Sequence, residues 1–240
     1  MRRSVPAPWL LLALVIGYTG SSLASGKPIA PSKLRWSATL PGATTSTTPD
    51  GKYIYALRSG DKDIAIAIDS QEPEKSRRRH AAVFSAHVLI RNLGQRYWKV
   101  SFAGVSLEFV KHFHVVQPAL DPSDLSQQLQ ASADELDHQT ALAPSGPPAK
   151  GRVDEAYLRA YQKETSEFIE FVSRNSLQET VLDPGNPQAE GWVYFSTRNK
   201  WLSKWKPQEM FILRLPLDGT VYEFPFSLPP KPGEATLRQR

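Results

Sequence analysis

The 240-residue chain has no cysteine. Thiol chemistry and disulfide staples are excluded, so the stability of the fold must come from burial alone. It also lacks a Gly-x-Ser-x-Gly elbow, a Walker loop, a paired-glycine dinucleotide fingerprint and a His-Glu-x-x-His helix, which leaves no catalytic motif to build an enzyme on. A strong charge excess is missing too. The formal net charge is +5, and setting aside Arg2 and Arg3 leaves 27 basic residues against 24 acidic ones, or +3. So mild a balance does not point to nucleic acid, and the Lys75 to Arg79 cluster reads as a solvated loop. The apolar run Trp9 to Tyr18 has about ten residues, half of the roughly twenty that cross a bilayer as a helix.

That short run has a function of its own. Arg2 and Arg3 precede it and Ser22-Leu23-Ala24 follow it, the three parts of an export signal. Cleavage after Ala24 is expected, with a secreted or periplasmic product of about 215 residues that keeps no transmembrane segment. No cysteine lies near the cleavage point to carry a lipid anchor.

Residues 25–50 are rich in Pro, Ser and Thr and suit a flexible tether or a loosely held first strand. From Gly51 the period is two. Tyr53, Tyr55 and Leu57 alternate with smaller residues, Ser59-Gly60 turns the chain, and Ile64, Ile66 and Ile68 alternate with alanines. After a charged loop over Glu72 to His80, Phe84, Ala86, Val88 and Ile90 form one face of a strand, and Ser85, His87 and Arg91 its other face. Trp98, Val100 and Phe102 point together, and Val105 to Val116 reads as one long strand. Then the period changes. Asp121 before Pro122 is a helix start, with Leu125, Leu129 and Leu136 at helical spacing up to about Leu142. A connector from Pro144 to Lys150 leads into a second helix striped by Val153, Tyr157, Tyr161, Phe168, Ile169 and Val172.

Strands return after Asp183-Pro184-Gly185. Asp218-Gly219 forms a two-residue type I′ turn that pairs Leu217 with Thr220, Leu215 with Tyr222, Leu213 with Phe224 and Phe211 with Phe226. Pro225 lacks a ladder donor and puts its strand at an edge or beside a bulge. The Pro-rich, basic tail 229–240 is expected to be disordered. The predicted fold is mainly β: an antiparallel β-sandwich over 51–228 carrying a two-helix hairpin as an insertion over 119–177.

Val88-Leu89-Ile90-Arg91-Asn92-Leu93-Gly94 is a strand ending in an Asn-x-Gly turn, and Ala189 to Phe195 is a hydrophobic strand before the last hairpin. On these residues the chain resembles exported bacterial immunoglobulin-like domains of unknown function, over Val88 to Phe109 and Val181 to Leu228. The resemblance implies an immunoglobulin-like sandwich acting as a non-catalytic interaction module.

Two groups of side chains invite chemistry. His112 and His114 alternate on the expected long strand, about 7 Å apart on one face, where two imidazoles can share a metal ion with His87 or Glu108 as a third ligand. Exposed histidines on an outward face need no ion, so no metal and no cofactor is expected. Trp201 and Trp205, interleaved with Lys200, Lys204 and Lys206, suit a grip on a sugar ring, a peptide or an anionic polymer, or else plug the open end of the sandwich. Glu164, Glu167 and Glu170 sit beside the apolar stripe of the second helix as solvated charges. The expected function is a binding or assembly module of the bacterial envelope, its partner a protein or an envelope polymer; a carbohydrate or cell-wall polymer binder using the Trp/Lys segment and an undetected hydrolase are the alternatives. An apolar patch running from the sheet onto the helices favours a protein partner, an exposed tryptophan pair a polymer, and a deep cleft with converging His and carboxylates an enzyme.

Overall fold

The computed structural model describes residues 31–69, 82–141, 155–198 and 209–228. The export signal, the Lys75 to Arg79 cluster, the Pro144 to Lys150 connector, the Trp/Lys segment and the C-terminal tail lie outside the described residues.

Among the described residues the chain forms twelve strands, most of them built on alternation of large apolar and small or polar residues. They are β1 (Ser32–Arg35), β2 (Ala43–Thr47), β3 (Lys52–Ser59), β4 (Lys62–Asp69), β5 (Val83–Asn92), β6 (Trp98–Val100), β7 (Ser106–Phe109), β8 (Val115–Pro118), β9 (Thr180–Leu182), β10 (Gln188–Ser196), β11 (Glu209–Leu217) and β12 (Thr220–Leu228). One sheet runs β1-β12-β11-β7-β8 and the other β10-β5-β4-β3-β2, while β6 and β9 form a separate ribbon. All pairs are antiparallel except β1 with β12. The inward rows of both sheets make one apolar core. Across it Phe84 of β5 meets Phe211 of β11 at 5.2 Å and Tyr55 of β3 meets Phe226 of β12 at 6.1 Å, which is the packing of a β-sandwich.

The last hairpin has the register counted from its turn: Leu217 opposite Thr220 through Phe211 opposite Phe226. Asp218 and Gly219 both have positive φ, 49° and 74°. Gly219→Val is therefore expected to cost about 1–2 kcal/mol through backbone strain, since open space around its Cβ position leaves no clash to add. A chemical-denaturation midpoint equal to the parent's contradicts the turn type. The edge placement of Pro225 needs correction, because β12 lies between β1 and β11. β1 covers only Thr220 to Glu223, and counting from the turn puts the Ile212–Pro225 pair in a non-hydrogen-bonded position. The missing N–H thus points to the side where β1 has already ended.

Other expectations also change. Two strands form between residues 31 and 50, in the stretch expected to be a flexible tether or a loosely held first strand. They hold because Trp36 crosses between the sheets, donating Nε1 to Ala56 O at 3.0 Å and meeting the Tyr55 ring edge-on at 5.1 Å. The expected long strand over Val105 to Val116 is a hairpin, β7 and β8, with Phe109 opposite Val115. β9 was not foreseen.

Among the described residues two helices interrupt the strands: α1 (Pro122–Ala141) and α2 (Glu155–Asn175). Asp121 caps α1, its Oδ1 accepting from the backbone N–H of Ser123 at 2.7 Å and of Asp124 at 3.3 Å. Both ends of the insertion are stapled to β10. Leu120 N donates to Tyr194 O at 2.8 Å on entry, and Leu177 N donates to Trp192 O at 2.9 Å on exit. Leu125 and Leu129 of α1 and Val172 of α2 pack with Tyr194 and Val83 on the outer side of the second sheet. Tyr157 departs from its expected stripe and is about half exposed, stacked on Tyr161 at 6.4 Å. α2 buries Leu158, Tyr161, Thr165 and Val172 and contacts β10, whereas α1 buries Leu125, Leu129 and Ala133. Hydrogen exchange is expected to be faster in α1 than in α2, because local opening tracks buried contacts; equal protection contradicts this order. No helix among the described residues is long and apolar enough to cross a membrane.

Candidate functional site

Lys200, Trp201, Lys204 and Trp205 lie outside the described residues. Glu209, the first residue of β11, is held by backbone and side-chain partners. Its Oε1 accepts from Lys111 N at 2.8 Å and Met210 N at 2.9 Å, and its Oε2 from the His112 Nδ1.

His112 and His114 are not on a strand face. They lie in the turn between β7 and β8, where Phe113 and His114 take φ of 55° and 54°, a left-handed conformation that few non-glycine residues adopt. The turn sends the two imidazoles apart. His112 bonds to Glu209, on the inward side of β11 with Phe211 and Leu213, whereas His114 bonds to Glu108, on the outward side of β7. The common face that alternation gives the two imidazoles is therefore not formed, and no group of three metal-ligating side chains converges among the described residues.

Glu108 belongs instead to an ion-pair row across the outward side of the first sheet. Its second oxygen accepts from Arg214, Arg214 Nε donates to Glu223 at 3.1 Å, and Arg35 Nε donates to the other Glu223 oxygen at 2.8 Å. Burial alone pushes the Glu108 carboxyl up, but hydrogen bonds from His114 and Arg214 outweigh it and hold the carboxyl below its ordinary value. The same balance, struck with Arg35 and Arg214, lowers Glu223. Both carboxylates are locked as acceptors, so neither is a free acid or base. On α2, Glu167 and Glu170 pair with Lys163 and Arg174 one turn away and Glu164 is exposed.

The outward side of the second sheet is different. A solvated antiparallel face ordinarily alternates to polar residues, yet here the register aligns Ile54, Ala67, His87 and Trp192 across four strands, with Ala56, Ala65, Leu89 and Glu190 in the next row. All of these except the exposed Glu190 are partly exposed. The apolar surface continues onto α2, where Phe171 meets the Trp192 ring at 5.9 Å. Charges border it: Lys52 and Asp69 on one side, and on the other a chain in which Arg91 reaches Asp63 at 3.5 Å and Gln188 at 3.4 Å, and Gln188 donates to Glu190 at 3.0 Å. An apolar field with a polar rim is the composition of an interaction surface.

His87 sits inside this field. Its Nε2 is 3.3 Å from Glu190 and its ring meets Trp192 edge-on at 5.2 Å. Burial pushes the imidazole below its ordinary value, against the upward pull of Glu190 and with a smaller downward push from Lys52. The signal that announces this surface is Ile64-Ala65-Ile66-Ala67-Ile68. Alternation marks its isoleucines as an inward row, and the alanines on the other face are themselves apolar.

No protein-family model matches the chain, and no curated protein or solved structure matches it either.

Proposed function

We propose that this is a non-catalytic, exported immunoglobulin-like module of the bacterial envelope that binds a protein partner through the outward face of the β10-β5-β4-β3-β2 sheet. One observation carries the reading: the apolar surface runs from Ile54 and Ala67 to Trp192 and on to Phe171 of α2, with His87 as the polar member of its row. Such a field suits another protein's apolar surface, and its mixed-charge rim sets orientation more than affinity. The export signal and the resemblance to exported immunoglobulin-like domains support the compartment and the class.

The test is site-specific photo-crosslinking in producing cells. A photoreactive residue at Ala65 or Ala67 is expected to give a discrete protein adduct, and the same residue at Thr45 none. The adduct should vanish when Ala56→Glu puts a charge into the field. Absence of an adduct at Ala65 and Ala67, or equal adducts at Thr45, overturns the surface. Co-sedimentation with cell-wall polymer that is lost on replacing Trp201 and Trp205 assigns binding to the Trp/Lys segment instead.

A further inference from the structure

We propose that the β11–β12 hairpin is the closing element of this fold: until it is free to dock, the chain cannot form its sandwich, and this delay keeps the chain threadable during export. The order of closing stands on the strand pairing alone, whereas its use in export rests on the export reading above.

The pairing carries it. In the second sheet β2, β3, β4 and β5 follow one another in the chain and pair as neighbours. The first sheet is assembled from distant segments. β11 is its central strand, between β12 and β7, and among the described residues β1 has β12 as its only strand partner. Ser32 of β1 and Thr220 of β12 lie 188 residues apart in the chain. Taking away β11 and β12 leaves β1 unpaired and β7 with β8 as a two-stranded ribbon, which does not persist alone in water.

The side chains repeat the pattern. Phe211, Leu213, Phe224 and Phe226 are buried in the core, where Phe211 meets Phe84 and Phe226 meets Tyr55 of the second sheet. Without the hairpin the inner row of that sheet lies open to water, and a sheet with an uncovered apolar face is not a stable layer. The helical pair cannot substitute, because it packs on Val83 and Tyr194 at the sheet's other side. Polar links converge on the hairpin too. Glu209 holds the β7–β8 turn, Arg214 and Glu223 tie β7 to β1, and Asp218 reaches Lys62 of the second sheet at 3.1 Å.

Timing follows from this order. At about 5–20 residues per second of synthesis, β12 emerges about 10–40 s after β1. The hairpin itself needs only about 1–10 μs, because Asp218-Gly219 turns it locally. Closure is therefore set by the arrival of the hairpin, and a channel that threads an extended chain meets no closed domain in that interval.

The first experiment holds the full chain on the ribosome through C-terminal linkers of increasing length, which keep the hairpin in the exit tunnel or release it, and reads the protease resistance of β3 to β5. These strands are expected to be sensitive with short linkers and to become resistant in a single step once the hairpin is out. Resistance of β3 to β5 while the hairpin is still in the tunnel overturns the closing order and the export role with it. The second experiment holds completed precursor in the cell under a brief export block and then restores export. The parent is expected to lose most of its exported fraction, whereas Phe226→Asp, whose charge keeps the hairpin from docking, should retain it. Equal export of the two after the block overturns the export role and leaves the closing order. Failure of both to be exported without any block overturns the export reading, and the delay's use in it, while the ribosome-bound chain still decides the closing order.

Discussion

Replacing Arg214 by methionine is expected to lower the unfolding free energy by about 3–5 kcal/mol at neutral pH, the loss found when one partner of a buried ion pair is removed. Arg214 is the shared cation of the row on the first sheet, giving one nitrogen to Glu108 and another to Glu223. The side chains of those two glutamates are 8% and 5% exposed, so neither carboxylate can turn to water for compensation. Methionine fills similar space and leaves two buried charges short of a donor. The loss is therefore electrostatic rather than a packing loss. Replacing all three, as Glu108→Leu, Arg214→Met and Glu223→Leu together, should recover most of the stability, because a satisfied ion pair and an apolar replacement are worth nearly the same. A triple variant as unstable as Arg214→Met alone refutes this assignment.

The same row sets the response to acid. Glu108 and Glu223 have folded-state values lowered from the ordinary 4.5. The stability they contribute is present above about pH 4.5 and is lost as pH falls through their lowered folded values. In Arg214→Met the burial cost at Glu108 is opposed only by the exposed His114, so its carboxyl is expected to take up a proton at higher pH than in the parent. The gap between parent and variant should thus shrink on acidification. Urea denaturation at pH 7 and pH 4 measures it, and a gap that widens at pH 4 contradicts the ion-pair origin.

What could be read in the sequence was what local chemistry specifies. The last hairpin was legible to the residue because Asp218-Gly219 admits one turn type and a one-residue slip would turn its whole apolar row to solvent. The start of α1 was legible because Asp121 and Pro122 fit one role each. By contrast, nothing from Val110 to His114 is glycine, proline or asparagine, so the β7–β8 turn gave no local signal. It is built from residues in a left-handed conformation and tied down by side chains that reach Glu108 and Glu209. Long-range partners decide it, and alternation alone continues the strand. The apolar face escaped for a related reason: alanines at 56, 65 and 67 are unremarkable one by one and become a surface only when four strands align them.

Gly191→Val is expected to cost about 3 kcal/mol and to loosen the helical pair before the sandwich. Gly191 lies in the middle of β10, opposite Val88 of β5, on the strand that staples both ends of the insertion. A Cβ added there would stand 2.4 Å from Leu177 N, 2.6 Å from Leu177 Cα and 2.6 Å from Ser176 C. These are backbone atoms of the segment leaving α2, so no side-chain rotation relieves the overlap. Either β10 bends or the chain after α2 lifts away, and valine adds two methyl groups to the conflict. Overpacking in a closed site costs about 1–3 kcal/mol, and backbone on the receiving side puts this one at the upper end. β10 is also tied to β5 along nine residue pairs, whereas the exit segment is held to β10 by a single bridge and the Leu177 N–H, and to the core by the one buried side chain of Leu177. The weaker side yields. Hydrogen exchange should therefore show lost protection at Leu177 and through the last turns of α2, with β5 and β4 unchanged. A variant with parental stability and unchanged exchange at Leu177 would mean that the chain after α2 does not lie against β10 as described.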